Sequence, residues 1–479
     1  MNTIKQSCAR FGLVLLGASA VAWSVSPGQE PAQCGPSPTS WNAVQPAVAP
    51  SPFAAAPELS PEALVTEVLA RNPTLTEMTA AAQAAAARYP QAISLEDPMF
   101  GATFGPGTIA PDDRGVEFAS RLEISQKYPW PGKRRLRGEN AAADARAADL
   151  DVDDARLQLI ENARDAFADY YLAGRGLAVN QEALDILRSI QSNQETLFKT
   201  GKIPEPDLLQ TGVQIGRERQ RRLTLERMLD VARARINALL DLPPDSPLPP
   251  PAPIPSAAAL PDEQALRAAA LTQRPDLKAL AERIAAEQAA LGLAHKEYYP
   301  DFEPFFMYDR FMGNVSDNRD LAAMLGVRVN LPIRLARRDA AVQEAEARVN
   351  QRVAELRRLT DDVNLAVDQA YKETVESEKM VRLYEESILP DVELNVKSSQ
   401  TSYTTGKIPA VTLLDAERNL IDLRDSYYQA TADAFRRRAA LERAVGGSRD
   451  GVTPSPAPPS APPAPPSPPA HLPPVSPGS

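Results

Sequence analysis

The residue types that usually carry covalent or metal chemistry are sparse in this sequence and poorly placed for it. Its two histidines, His295 and His471, lie far apart. No Cys/His set has the spacing of metal ligands, and no glycine-rich run has the form of a phosphate-binding loop. Nothing here resembles an enzyme site, so no catalytic residue, cofactor or metal is expected. The residues that do recur in a pattern belong to two turns. The first reads Phe198-Lys199-Thr200-Gly201-Lys202-Ile203-Pro204 and the second Tyr403-Thr404-Thr405-Gly406-Lys407-Ile408-Pro409. Their chemistry is that of the backbone. Glycine tolerates the left-handed conformation that ends a helix. Proline three residues later has no N–H to donate and suits the first turn of the next helix. An acid follows each turn, Asp207 in the first and Asp415 in the second, where the helix dipole favours a negative charge.

The two turns are 205 residues apart, and the same offset pairs Phe198 with Tyr403, Leu208 with Leu413 and Ile236 with Leu441. A repeat this long is no solenoid period; it indicates that one half of the chain duplicates the other. The likeness reaches back to the start of each half, where Arg71-Asn72-Pro73-Thr74-Leu75 answers Gln273-Arg274-Pro275-Asp276-Leu277. Ser60-Pro61-Glu62 marks the first helix start, a serine cap followed by proline. After Pro131 no proline occurs until Pro204. A helix of ~70 residues at a 1.5 Å rise would be about 100 Å long. Within it Leu159, Ala163, Ala166, Tyr170, Ala173 and Leu177 recur three and four apart, a coiled-coil seam with small residues. Leu359, Val363, Ala366 and Ala370 do the same in the second half, where Pro390 is expected to kink the helix. Return helices are expected from Asp207 to Leu240 and from Leu413 to Val445.

Between the opening helix and the long helix of each half the period changes from helical to two. Val116, Phe118, Ser120, Leu122 and Ile124 alternate with mainly polar residues, and Ala323, Leu325, Val327, Val329 and Leu331 do likewise. Met99–Phe104 and Phe302–Arg310 are their expected hairpin partners, joined through loops at Gly105–Gly115 and Gly313–Asn318. Strands of about ten residues are long enough to cross a bilayer at a tilt. Four strands close no barrel alone, which favours several chains sharing one; a small soluble sheet is the alternative. Proline-bounded elbows follow, Tyr128-Pro129-Trp130-Pro131-Gly132-Lys133-Arg134 and Leu331-Pro332-Ile333-Arg334-Leu335-Ala336-Arg337.

The ends and junctions divide the chain. Residues 1–22 have the basic start, apolar middle and small-x-small end of an export signal. Residues 23–57 read as a disordered Pro-rich arm, 58–242 as the first repeat, 243–259 as a Pro-rich linker, 260–447 as the second repeat and 448–479 as a disordered Pro-rich tail. Cys8 would leave with the signal and Cys34 would remain as a lone thiol, a poor match to a lipidation site, so no internal disulfide is expected. The formal net charge is −10, and without a dense basic face nucleic acid is not an expected partner.

The duplicated order of helix, strand hairpin, very long helix, Gly-Pro turn and return helix, with an export signal, resembles the TolC family of bacterial outer-membrane efflux proteins over roughly Ser60 to Gly447. Phe198-x-x-Gly201 and Tyr403-x-x-Gly406 carry the resemblance most specifically. The Pro129-Trp130-Pro131-Gly132-Lys133-Arg134 elbow is similar to that of members working with heavy-metal efflux pumps. The resemblance implies a mainly α fold with a small β part: long antiparallel coiled-coil hairpins forming an α-barrel, and four transmembrane strands per chain that close a twelve-stranded barrel in a homotrimer. It implies an outer-membrane location extending into the periplasm, contact with outer-membrane lipid, and docking onto a periplasmic adaptor that joins an inner-membrane pump. Gly201, Lys202, Ile203, Pro204, Gly406, Lys407, Ile408 and Pro409 then fall at the docking end. Asp415 matches a position where the family narrows the tunnel with aspartates, and Asp207 is a second acid near that tip. Three such carboxylates on a water-filled axis would repel one another and attract cations. The implied activity is passive conduction of substrates, heavy-metal ions among the candidates. A duct for type I protein secretion shares this plan. A periplasmic adaptor would show one helical hairpin between glycine-rich halves, and a soluble coiled-coil scaffold would leave the strands unexplained.

Overall fold

A computed structural model describes Phe53 and residues 56–105, 118–201, 203–255, 259–312, 322–405 and 407–447, all within one compact unit, Val48–Ser479. The export signal, Cys8, Cys34, most of the Pro-rich arm, Lys202, Gly406, both strand-connecting loops, His471 and the C-terminal tail lie outside the described residues.

The chain opens with α1 (Pro61–Arg71), α2 (Pro73–Ala86) and α3 (Arg88–Ile93), then β1 (Met99–Gly105) and β2 (Phe118–Ser125). The 67-residue α4 (Lys133–Lys199) runs to the first turn and α5 (Glu205–Leu239) returns. The second half gives α6 (Glu263–Gln273), α7 (Pro275–Lys296), β3 (Phe302–Met312), β4 (Ala322–Val329), α8 (Leu335–Leu383), α9 (Leu389–Thr404) and α10 (Ala410–Val445). Local chemistry sets the starts. Ser60 Oγ accepts from Ala63 N–H at 3.2 Å with Pro61 as the first helical residue. Asn72 separates α1 from α2, its Oδ1 accepting from Thr74 N–H while its Nδ2 donates to Leu239 C=O. That second bond ties the opening helices to the end of the return helix. Helix α3 continues through Pro90 instead of ending there: the ring falls in the first turn of a short helix, where no N–H is needed.

The expected break at Pro390 is a π-helical turn, Tyr384–Ile388, between α8 and α9. A proline removes one backbone donor and crowds the carbonyl four residues back, and a wider turn relieves both.

The long helices pack on small residues. Ala163, Ala166 and Phe167 of α4 are fully buried, and the first core joins them to Leu64, Val68, Ile236 and Leu240. Phe53, at the end of the stretch assigned to the Pro-rich arm, is tucked into the same core. Leu59 forms a bridge with Pro251 of the linker. A second core repeats the arrangement with Ala270, Leu277, Val363, Val367 and Leu441. Helix α4 packs on α5 and α10, and α10 packs in turn on α8 and α9, so the helices below the core run in the order α5, α4, α10, α8/α9. Both outer members of that row have an open side.

The strands form one antiparallel sheet in the order β1-β2-β3-β4, with β1 and β4 as edges. Register places Ile124 between Phe100 and Phe306, and Phe306 opposite Leu325. This sheet joins the helices through the elbow. Lys133, at the start of α4, is fully buried, and its Nζ donates to Asp301 Oδ1 at 2.9 Å and to Tyr299 C=O at 3.2 Å. Trp130 stacks on Tyr299 and Phe302, and its backbone N–H donates to Asp301 Oδ1. A buried cation is tolerable only when paired and hydrogen-bonded, and this one has both. Burial pushes the Asp301 carboxyl up, but the Lys133 and Trp130 bonds outweigh it and hold it below the usual range.

Candidate functional site: the hairpin tips and the two faces of the sheet

At the first tip Gly201 has φ +71°, and a side chain there would meet nothing within 4 Å. Backbone conformation, not lack of space, calls for glycine. Its N–H donates to Phe198 C=O at 2.9 Å, and Thr200 Oγ1 donates to Leu197 C=O at 2.9 Å, so the last carbonyls of α4 are satisfied. Pro204 is the N-cap of α5 (φ −79°, ψ 155°) and Pro409 that of α10 (φ −73°, ψ 159°). Each proline therefore stands one place before the first helical residue. At the second tip Lys407 N–H donates to Ser402 C=O at 2.9 Å, and Thr405 Oγ1 closes on Thr401 C=O at 3.1 Å. Lys407, Pro204 and Pro409 are exposed, while Ile203 and Ile408 are half-buried. The two hairpins pack together behind their tips. Leu184, Leu187 and Ile190 of α4 meet Ile215 of α5 and Leu413 and Leu414 of α10, with Tyr403 against them.

Asp415 is exposed and has no hydrogen bond or ion pair with any described residue. It shares its face of α10 with exposed Arg418, Asn419 and Asp422, the last two charges 3.9 Å apart. Asp207 falls in the first turn of α5, and its side chain lies outside the described residues. The acid that sequence reasoning missed is Glu417, 5% exposed. Burial pushes its carboxyl up, Arg424 opposes this and Glu182 adds to it. Arg424 donates to Glu182 at 2.9 Å and to Glu393 at 3.1 Å, joining α10 to α4 and α9. The helical spacing Leu413, Glu417, Leu420 could have marked this glutamate as inward-facing. Higher up, burial and a bond to Glu385 in the π-helical turn push the Tyr427 hydroxyl up to about 12.

The sheet has two unlike faces. One carries Phe100, Leu122, Ile124, Phe306, Leu325, Val327 and Val329, all exposed; Leu325 is 85% exposed and Phe100 69%. The other carries charge in pairs. Arg121 donates twice to Asp309, at 2.7 and 3.0 Å, and Arg328 bonds Glu123 and Glu303. An exposed apolar band backed by a polar face suits a strand wall between lipid and water. Among the described residues no helix is long and apolar enough to cross a membrane, and no cluster of acids, histidines and cysteines could hold a metal.

Comparisons with known proteins agree with this geometry. The chain is similar in structure to VceC, an outer membrane protein of Vibrio cholerae, at 20% identity and a TM-score of 0.68, covering 81% of this chain and 96% of that one. It is similar to CusC at 19% identity and 0.70, covering 81% and 92%. It is similar to the open state of the MtrE outer membrane channel of Neisseria gonorrhoeae at 17% and 0.68, covering 82% and 91%. At such identities the likeness is one of fold. No curated protein sequence matches the chain. A family model described as outer membrane efflux protein matches residues 64–241 and 266–447, both halves of the chain. With that match spanning the helices, the sheet and both tips, the chain belongs to the outer membrane efflux protein family, outer-membrane transport channels and not enzymes.

Proposed function

We propose that three copies of this chain form the passive outer-membrane duct of a tripartite efflux system, receiving substrates from an inner-membrane pump through a periplasmic adaptor. The observation that carries this reading is the open four-stranded sheet, apolar on one face and charge-paired on the other, with both edges unpaired in a single chain. Closure by three chains removes the edges and turns the apolar face to lipid. The helical row supports the same closure. Exposed Leu209, Val213, Leu223 and Val231 share α5 with exposed Arg217, Arg219 and Arg227. At the other end of the row, exposed Leu383 and Leu394 stand among exposed charges of both signs, Glu373 and Glu386 with Lys379 and Arg382. A head-to-tail contact between unlike edges generates a ring.

In this reading the halves arose by internal duplication, with residues 58–242 and 260–447 as the repeats and the export signal, arm and tail outside them. The tips at Gly201–Pro204 and Gly406–Pro409 meet the adaptor, and Asp415, with Asp207 as a second acid, narrows the far end. Heavy-metal ions as substrate rest on the elbow motif alone. The test is single-channel conductance of the detergent-extracted protein in a planar bilayer, with Asp415→Ala beside it. A narrow, cation-preferring pore that widens or loses selectivity in the variant is the expected result. A pore indifferent to Asp415 would keep the duct and move its constriction. No pore from folded trimer would overturn the reading.

A further inference from the structure

On the charged face of the sheet, Gly326 of β4 stands directly opposite Phe305 of β3. The phenyl ring lies across the glycine so closely that a Cβ at 326 would come within 2.7 Å of Phe305 Cε1 and closer still to Cζ. From above, the Arg328 guanidinium covers the ring at 4.5 Å from its centroid. Arg328 is itself held by Glu123 and Glu303. The ring is thus pressed flat between strand backbone and a tethered cation, a stacked arrangement that also shields the bare glycine backbone. On its other side Phe305 is paired with Ser125, which is 5% exposed and so already covered.

We propose that Gly326 sets the bore of the strand barrel, by giving Phe305 the only place where its ring does not project into the lumen. This rests on the reading above that the charged face lines a lumen. Any side chain at 326 overlaps the ring and drives it off the wall. With both flanks occupied, it turns toward the axis, once in each of three chains at one level. The residue pair therefore keeps the passage wide at this level, independently of charge, since the neighbouring arginines are matched by carboxylates.

The test is access from outside the cell to a thiol placed beyond this level. Lys127 suits: backbone bonds of Gln126 and Tyr128 to Pro304 and Phe302 continue the ladder past Ser125, so Lys127 lies on the same face and nearer the helices, and its side chain is exposed. In a chain carrying Cys8→Ser, Cys34→Ser and Lys127→Cys, maleimides on polymers of increasing size would be added to intact cells. With Gly326→Leu, labelling by the largest polymer that enters the parent should slow by roughly tenfold, while a small maleimide reacts as before. Phe305→Ala added to Gly326→Leu should restore entry, which a merely misfolded barrel would not allow. Unchanged polymer labelling in Gly326→Leu would overturn the proposal and leave the duct intact. Failure of even the small reagent to reach the parent's thiol would instead overturn the lumen on which it rests.

Discussion

At the residue scale the least expected group is Glu417, a buried carboxyl whose titration Glu182 raises and Arg424 opposes. Its folded-state titration lies above the ordinary glutamate value, so the folded chain binds more protons than the unfolded one between those two values. Stability contributed at this site is therefore greatest at low pH and falls as pH rises through that window. Glu417→Gln should abolish the local dependence. Thermal unfolding midpoints followed against pH should show the variant gaining on the parent as pH rises above the ordinary carboxylate range, and parallel curves would exclude the effect. Legibility differed from residue to residue. Gly201 and Pro204 were readable because their roles are set by their own backbone. The Arg424–Glu182 and Lys133–Asp301 pairs were not, because each joins residues more than a hundred positions apart whose meeting depends on how the long helices are aligned.

Elements were largely legible, since a period of 3.6 and a period of two are both strong over these lengths. Helix α10 begins three residues earlier than expected, at Ala410. Apolar spacing alone does not mark a helix start as a proline cap does, and Pro409 supplies that stop. The tip of the second hairpin gives the prediction that belongs here. Lys407 is exposed beside two residues, Ile408 and Pro409, that fix the turn. Its only described bond runs through the backbone N–H. Lys407→Glu should therefore leave trimer formation intact and weaken adaptor docking. Co-purification with the adaptor from cells should fall sharply, by the kilocalorie or more, ~10-fold in affinity, that reversing a rim charge in a complementary contact entails. Retained docking would remove Lys407 from the interface.

At the scale of the whole molecule the chain is a row of helices beneath an open sheet, and neither closes on itself. Sequence reasoning pointed to a shared barrel through strand count, but it could not see that α5, at one end of the row of helices, exposes mainly arginines while α8 and α9 at the other expose charges of both signs. Arg219→Glu with Arg227→Glu should place like charges across the proposed contact and destabilise the trimer. Crosslinking or light scattering in detergent should then show monomer at concentrations where the parent is trimeric, with the balance shifting back toward trimer when Glu373→Lys and Glu386→Lys are added. Restoration only at high salt would assign the effect to general repulsion instead of the specific edge pairing.

The π-helical turn at Tyr384–Ile388 governs which changes of length the second limb accommodates. In an α-helix each residue advances the side-chain direction by about 100°. Below the turn, Val392 and Val396 are buried against Ala416 and Leu420 of α10. Above it, Val363 and Val367 are buried in the second core. The widened turn takes up about one residue more than an α-turn, so loss of a single residue within 384–388 would let an ordinary α-helix run straight through with both valines still on α10, whereas the same loss elsewhere in the limb would rotate everything beneath it by that angle. The widened turn thus fixes the phase between two separately packed lengths of one helix. Loss of one residue is tolerable there, where a single insertion or deletion elsewhere in α8 or α9 is not.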